Sequence, residues 1–289
     1  MVVGADRLRG AAEELGLAAR PVMTHTSLRS FGEPVEGGAD ALLDALLALG
    51  CTVLVPSFTW EYFDVPAPPA MRPARNGCVY DDRPWPGAGD GPDAGADSGA
   101  EAAVYSPDCG LVDTTMGALP AALIARRGAR RGRHPHCSFA ALGPLADELA
   151  AAQSPVDVYG PVRALAAAGG AVLLVGVGLN RMTALHLAEQ RSGRRLFARC
   201  AREADGRIVL VESGGCSEGF GRLEPALRPL ERTVTVGASR WRAYPAEEAL
   251  DAAVAAITAD QGITHCADPD CVSCADAVAG GPLGPIPLG

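Results

Sequence analysis

The sequence predicts an α/β fold: a single domain with a mixed central sheet flanked by helices, plus an α+β lobe at the C-terminal end. Three observations carry this reading. Ala171–Glu189, AVLLVGVGLNRMTALHLAE, runs from an apolar, β-branched stretch through Gly176 and Gly178 into helical spacing, so it reads as buried strand, tight turn and helix. Pro21–Phe58 reads strand, loop, helix, strand, which implies a parallel pair joined by a right-handed crossover. Beyond Glu189, several short strand-like runs and one alanine-rich helix make the sheet mixed and supply the lobe. No internal repeat, heptad or linker divides residues 1–289.

In chain order, Ala5–Leu17 has amphipathic helical spacing. Pro21–His25 is a short strand that delivers the polar turn His25–Gly32. Leu42, Leu43, Leu46, Leu47 and Leu49 recur at helical spacing, and Gly50 closes that helix. Thr52–Phe58 is the next strand. Pro66–Asp113 breaks the pattern, most of all in the Pro-, Gly- and Asp-rich Pro84–Ala100, and reads as a long, partly disordered surface excursion. Loops of that length are more often functional than accidental, so it is expected to flank the active site. Helices are predicted at Ala118–Arg127, Ala140–Ala152 and Pro161–Ala168, with a turn at Gln153–Gly160. Strands are predicted at Leu196–Cys200, Arg207–Glu212, Thr233–Val236 and Arg240–Tyr244, and a final helix at Ala246–Asp260.

Composition bounds the function. Aromatics are only 5% of 289 residues, so the core must lean on Ala, Leu and Val. A net charge of −9 speaks against a nucleic-acid partner. No apolar run reaches the roughly 18 residues a membrane span needs, and the N-terminus lacks a signal-peptide arrangement. The expectation is a cytoplasmic protein with no membrane partner. Nine cysteines, an odd number and mostly scattered, argue against a disulfide scaffold.

Several groups could carry chemistry. His186 and Glu189 are three apart on a helix and share a face. A carboxylate there fixes the imidazole tautomer and supports the charge the ring takes on as a general base. A His–Glu pair that only lines a helix would look the same, and Asn180 is explained by capping alone. The small, polar loop His25–Gly32 suits phosphate or an amide-rich cofactor. The run Arg126, Arg127, Arg130, Arg131 and Arg133 could grip phosphate, or be a solvated face. Cys137 beside His136 is a conceivable nucleophile that nothing fixes against a base. His265, Cys266, Cys271 and Cys274 form a candidate Zn2+ set, although adjacent His265 and Cys266 are awkward ligands for one ion.

Four blocks in order then resemble the aminoglycoside 3-N-acetyltransferase family: HTSLRSFG with VEGG (25–38), VPSFTW (55–60), TTMGALP with RGRHPHCSF (114–139) and LLVGVGLNRMTALHLAE (173–189). The last block, a glycine turn followed by N-x-x-T-x-x-H-x-x-E, is the most specific. The resemblance implies direct transfer of acetyl from acetyl-CoA to a small-molecule amine, most readily the 3-amino group of an aminoglycoside. His186 would be the base and Glu189 its orienting carboxylate. Thr26, Ser27, Leu28, Ser30, Phe31, Gly32, Val35, Thr114, Thr115, Met116, Gly117, Ser138 and Phe139 would cradle CoA, with Arg131 among the arginines that meet a phosphate. Glu61, Asp64, Asn180 and Thr183 would border the acceptor. Val158–Pro161 departs from the acidic Ser-Pro turn of the family, which leaves room for another biosynthetic amine, such as an aminophosphonate or a nucleotide-linked amine. A homodimer is left open. A zinc-stabilised binding protein without catalysis is the competing class.

Overall fold

The structure, a computed structural model, describes residues 2–73, 75–79 and 104–278; Pro84–Ala100, the centre of the expected excursion, lies outside them. Along the chain come α1 (Ala5–Glu14), β1 (Pro21–Thr26), α2 (Gly38–Ala48), β2 (Thr52–Pro56) and the single turn α3 (Trp60–Phe63). Next are α4 (Ala118–Ile124), β3 (Arg130–Arg131), β4 (Phe139–Leu142), α5 (Ala146–Ala151), α6 (Gly160–Ala167), β5 (Ala171–Val175) and α7 (Leu185–Arg191). The C-terminal part holds β6 (Phe197–Arg202), β7 (Ile208–Ser213), α8 (Glu224–Leu227), β8 (Arg232–Val236), β9 (Ser239–Pro245), α9 (Ala246–Ala259) and α10 (Val272–Asp276).

Seven strands form one sheet in the order β3-β4-β2-β1-β5-β9-β8. β1 is central and pairs in parallel with β2 and with β5, while the outer pairings are antiparallel. The mixed sheet read from the sequence is therefore present. Strand residues alternate between two apolar layers, as a pleat requires. Val22, Val53, Val55, Leu173 and Val175 pack with Leu8, Leu42, Leu46 and Leu123 of α1, α2 and α4. Met23, Leu54, Val172 and Leu174 pack with Leu149, Leu165, Leu185 and Leu250 of α5, α6, α7 and α9. Each fully buried Leu or Val adds about 1.5–3 kcal/mol, so helices on both faces fix the sheet firmly.

The C-terminal hundred residues divide. β8, β9 and α9 complete the main sheet and its cover, whereas β6 and β7 form a separate two-stranded sheet. Among the described residues no helix is long and apolar enough to cross a membrane.

The expected helix Ala140–Ala152 is corrected. Its first residues form β4, paired with β2 from Val53↔Leu142 to Pro56↔Phe139, and only Ala146–Ala151 are helical. Gly143, at φ +127° and packed on Cys51 and Thr52, ends the strand where a helix would have to begin. The expected helix Ala118–Arg127 stops at Ile124.

Candidate active site

A cleft of about 1000 Å³ opens beyond the carboxyl ends of β1, β2 and β5, where parallel α/β sheets collect ligands. Each strand hands residues to it: Thr24–Arg29 from the end of β1 and the loop beyond, Pro56, Phe58 and Trp60 from the end of β2 onward, and Val177, Asn180, Arg181, Thr183 and His186 after β5. Thr114–Pro120 form another wall, and Ser213–Gly215, Ser217 and Ser273 close it from the C-terminal part.

The turn after β5 sets the geometry. Gly176 sits at φ +64°, and a Cβ there would lie 1.9 Å from Ser30 Oγ. Ser30 itself bonds Ser27 O at 2.6 Å and Ser239 Oγ at 2.7 Å, so the turn is locked to the loop after β1. Leu179–Arg181 then make a short 3-10 turn, with Asn180 Nδ2 donating to Glu218 rather than capping α7. This delay places His186 in the first turn of α7, buried at the cleft wall.

His186 Nδ1 donates to Glu189 Oε2 at 2.8 Å. That bond fixes the tautomer in which Nε2 carries the lone pair needed by a base. Glu189 is held in turn: its Oε1 accepts from Arg194 Nη1 and, at 2.8 Å, from Thr264 Oγ1. Glu189 and Arg194 are both nearly inaccessible, so the carboxylate is paired rather than stranded. Tyr159 stacks on the imidazole at 5.9 Å and Phe220 meets it edge-on at 4.8 Å. Gly214 leans on the same ring, where a Cβ would lie 2.9 Å from His186 Cδ2 and 2.2 Å from Tyr159 Oη.

Of the residues anticipated from sequence, Thr26, Ser27, Leu28, Thr114, Thr115, Met116, Gly117, Asn180, Thr183 and His186 line the cleft. Others support it without lining it. Phe31, Ser138 and Phe139 are buried, with Phe31 edge-on to Trp241 and Phe139 edge-on to Phe58. Gly32 ends the 28–31 turn with a left-handed residue, and Val35 bridges to Val3. Glu61 accepts from Thr114 Oγ1 at 2.9 Å, while Asp64 lies 3.8 Å from His136. Arg131 is turned inward onto Ser57 O, Ser57 Oγ and Ser138 Oγ. Arg126 pairs with Asp40 and Asp44 and Arg130 with Asp147, which makes much of the basic run a surface ion-pair network.

His134 and His136 are structural. His134 Nδ1 accepts the N–H groups of His136 and Cys137, its Nε2 donates to Glu212 O, and burial lowers its pKa from 6.5 to about 3. Burial pushes the Cys137 thiol well up, so it is no thiolate nucleophile. Sequence reasoning missed Arg199 and the wall made by Ser213, Gly214, Gly215 and Ser217, and gave no role to Arg181 or Tyr159. Arg181 did lie inside the glycine-turn block and Tyr159 inside Val158–Pro161, read as a departure from the family pattern, while Arg29 lies in the anticipated loop His25–Gly32.

The thiol cluster is also corrected. Cys216 joins Cys266, Cys271 and Cys274, with all four ligand atoms within 4.8 Å of one another. His265 is not a member; its Nε2 meets Ala277 O at 3.2 Å. The awkward adjacent pair is thus replaced by a residue fifty positions upstream.

Comparison with known proteins bears on the family and the fold. The chain is similar to aminoglycoside N(3)-acetyltransferase IX of Micromonospora chalcea, 39% identical over 191 residues, covering 64% of this chain and 60% of that protein. It is similar to aminoglycoside N(3)-acetyltransferase VIII of Streptomyces fradiae, 35% identical over 201 residues, covering 66% and 63%. The aligned part thus spans under two thirds of those relatives' length. Among solved structures, aminoglycoside acetyltransferase AAC(3)-Xa superposes with a TM-score of 0.70 at 29% identity, covering 89% of this chain and 93% of that one. The AAC(3)-IVa apoenzyme shares the fold, with a TM-score of 0.71 at 24% identity over 96% and 97%. A profile of aminoglycoside 3-N-acetyltransferases matches residues 23–258, and the chain belongs to that family.

Proposed function

We propose that the protein transfers acetyl from acetyl-CoA directly to a primary amine, most readily the 3-amino group of an aminoglycoside, with His186 as general base. The observation that carries this is the His186–Glu189–Arg194/Thr264 chain at the wall of the cleft. An ammonium is not a nucleophile, so His186 Nε2 takes a proton from it before or during attack on the thioester carbonyl. The tetrahedral oxyanion needs donors; among the described residues the N–H groups of Leu28 and Arg29 donate to no backbone carbonyl, and both residues line the cleft. Thr26–Leu28 and Thr114–Gly117 hold the pantetheine side. Arg29, exposed on the rim, replaces Arg131 as the phosphate partner. The Cys216–Cys266–Cys271–Cys274 cluster holds a structural Zn2+ and takes no part in the transfer. The protein acts in the cytoplasm, where acetyl-CoA is supplied.

A second reading keeps the chemistry and changes the acceptor. Apart from Arg29, the described residues that line the cleft include Arg181 and Arg199 and no carboxylate. That lining favours an amine that also bears an anionic group, such as an aminophosphonate, over a polycation. A mutant of AAC(3)-IVa is solved in complex with a gentamicin, which makes gentamicin a suitable member of the test panel.

His186→Ala is expected to lower amine-dependent CoA release by about two orders of magnitude or more. Calorimetry should show acetyl-CoA affinity unchanged. Turnover near wild type would remove His186 as the base. Screening aminoglycosides against aminophosphonates decides the acceptor class.

A further inference from the structure

Two irregular segments meet the catalytic pair from its outer side. Residues 214–219, after β7, supply Gly214, Gly215 and Ser217 to the cleft wall against which His186 lies. Residues 260–276, after α9 and including the short α10, carry Thr264, whose hydroxyl donates to Glu189. They touch through small contacts: Cys216 N donates to Ser273 Oγ at 2.9 Å, Gly215 lies against Ser273, and Gly219 against the carbonyls of Thr264 and His265. Neither segment is part of a sheet or a long helix. The four cysteines tie the same two segments together, Cys216 from the first and Cys266, Cys271 and Cys274 from the second.

A tetrahedral Zn2+ with bonds of about 2.3 Å sets its sulfurs about 3.8 Å apart. Cys266 and Cys274 are already 3.6 Å apart, and Cys266 N donates to Cys274 Sγ at 3.2 Å, as a backbone amide does to a metal-bound thiolate. Only modest closure brings the full set to bonding distance.

We infer that the Zn2+ held by Cys216, Cys266, Cys271 and Cys274 is a clasp for the acceptor side of the active site. It holds Gly214 against the His186 ring and Thr264 against Glu189. The inference rests on reading the cluster as a Zn2+ centre. Cys216 lies two residues from Gly214, and Cys266 two residues from Thr264, so the ion restrains both contacts over a short length of chain. Thr264 is a positioning residue: it acts on His186 through Glu189. The CoA side, built from Thr26–Leu28 and Thr114–Gly117, belongs to other segments and does not depend on the clasp.

The test follows the metal and the imidazole separately. Elemental analysis of the purified protein should find one Zn2+ per chain, lost in Cys216→Ser and Cys271→Ser and retained in His186→Ala. In 15N-histidine-labelled protein, the His186 resonances, assigned with His186→Ala, should shift or broaden on chelation and return on adding Zn2+. Calorimetric affinity for acetyl-CoA should hold while turnover falls about tenfold or more. Protein purified without Zn2+, or with Cys266 and Cys274 oxidised to a disulfide, overturns the metal reading and the clasp with it. Bound Zn2+ whose removal leaves the His186 resonances unchanged overturns the clasp alone. Should the metal-free chain unfold, Thr264→Val in the zinc-loaded protein tests the same link. It should keep its Zn2+ and shift the His186 15N resonances, and unchanged resonances overturn the inference.

Discussion

At the residue scale the centre of the molecule is a buried carboxylate with three partners. Glu189 orients His186 with one oxygen and accepts from Arg194 and Thr264 with the other. Glu189→Gln keeps the shape and removes the charge. It is expected to leave Arg194 buried beside a neutral amide and to cost about 3–5 kcal/mol of stability, as loss of one partner of a buried pair does. Chemical denaturation measures this, and a loss within experimental error would show that Arg194 is satisfied by Gln261 O and Thr264 alone. Turnover should fall as well, because the imidazole loses the group that fixes its tautomer. Cys137 makes the opposite prediction. Buried, with its thiol pKa pushed well up, it has no task in a direct transfer, so Cys137→Ala should keep turnover within about threefold of wild type while lowering Tm. Loss of turnover in a folded Cys137→Ala protein would point to an acyl-enzyme instead.

At the element scale, what could be read in advance followed the strength of local patterning. β2 and β5 are largely aliphatic runs buried on both faces, and a strand of that kind needs no context to be recognised. The His186 helix was legible for the same reason, since its glycine turn and its i, i+3 pair are both local. β4 was not, because Phe139–Leu142 is mostly alanine and leucine, which suit a helix equally well. What decides it is the pairing with Val53–Pro56, and no neighbouring residue encodes that pairing. Cys216 was invisible in the same way: a lone thiol fifty residues from the others becomes a ligand only when β6 and β7 fold back. The Arg194 and Thr264 contacts to Glu189 have no signature in spacing at all. The turn at Gly176 was recognised as a turn, and the structure adds its cost. Gly176→Ala would force φ +64° on an L-residue and drive Ser30 and Ser239 apart. We expect a loss of stability of more than about 1 kcal/mol and weaker acetyl-CoA binding through the Ser27–Ser30 loop. Unchanged Tm and affinity would show that the turn relaxes freely.

At the scale of the whole molecule, buried histidines set the response to acid. His25 and His134 are each lowered from 6.5 to about 3, mainly by burial and, for His25, also by Arg181. The unfolded chain takes up these protons near pH 6.5 and the folded chain only near 3, so stability rises with pH across that window and falls on acidification. Glu212, raised from 4.5 to about 6 by burial, works the other way between those two values, with a smaller shift than either histidine. Tm should therefore drop steadily from pH 7 to pH 4, and a Tm that holds or rises over that range would contradict the buried neutral state of these rings. The sheet order carries a different consequence. β1, near the start of the chain, is completed on its second edge only by β5, with Thr26 opposite Val175. The antiparallel partner of β5 is β9, later still. During synthesis the middle of the sheet therefore waits for β5 to emerge, and until then the β1 edge is open to strangers. Such long-range parallel pairing folds slowly and exposes aggregation-prone edges, so nascent chains stalled before residue 171 should recruit chaperones far more than those stalled after residue 260.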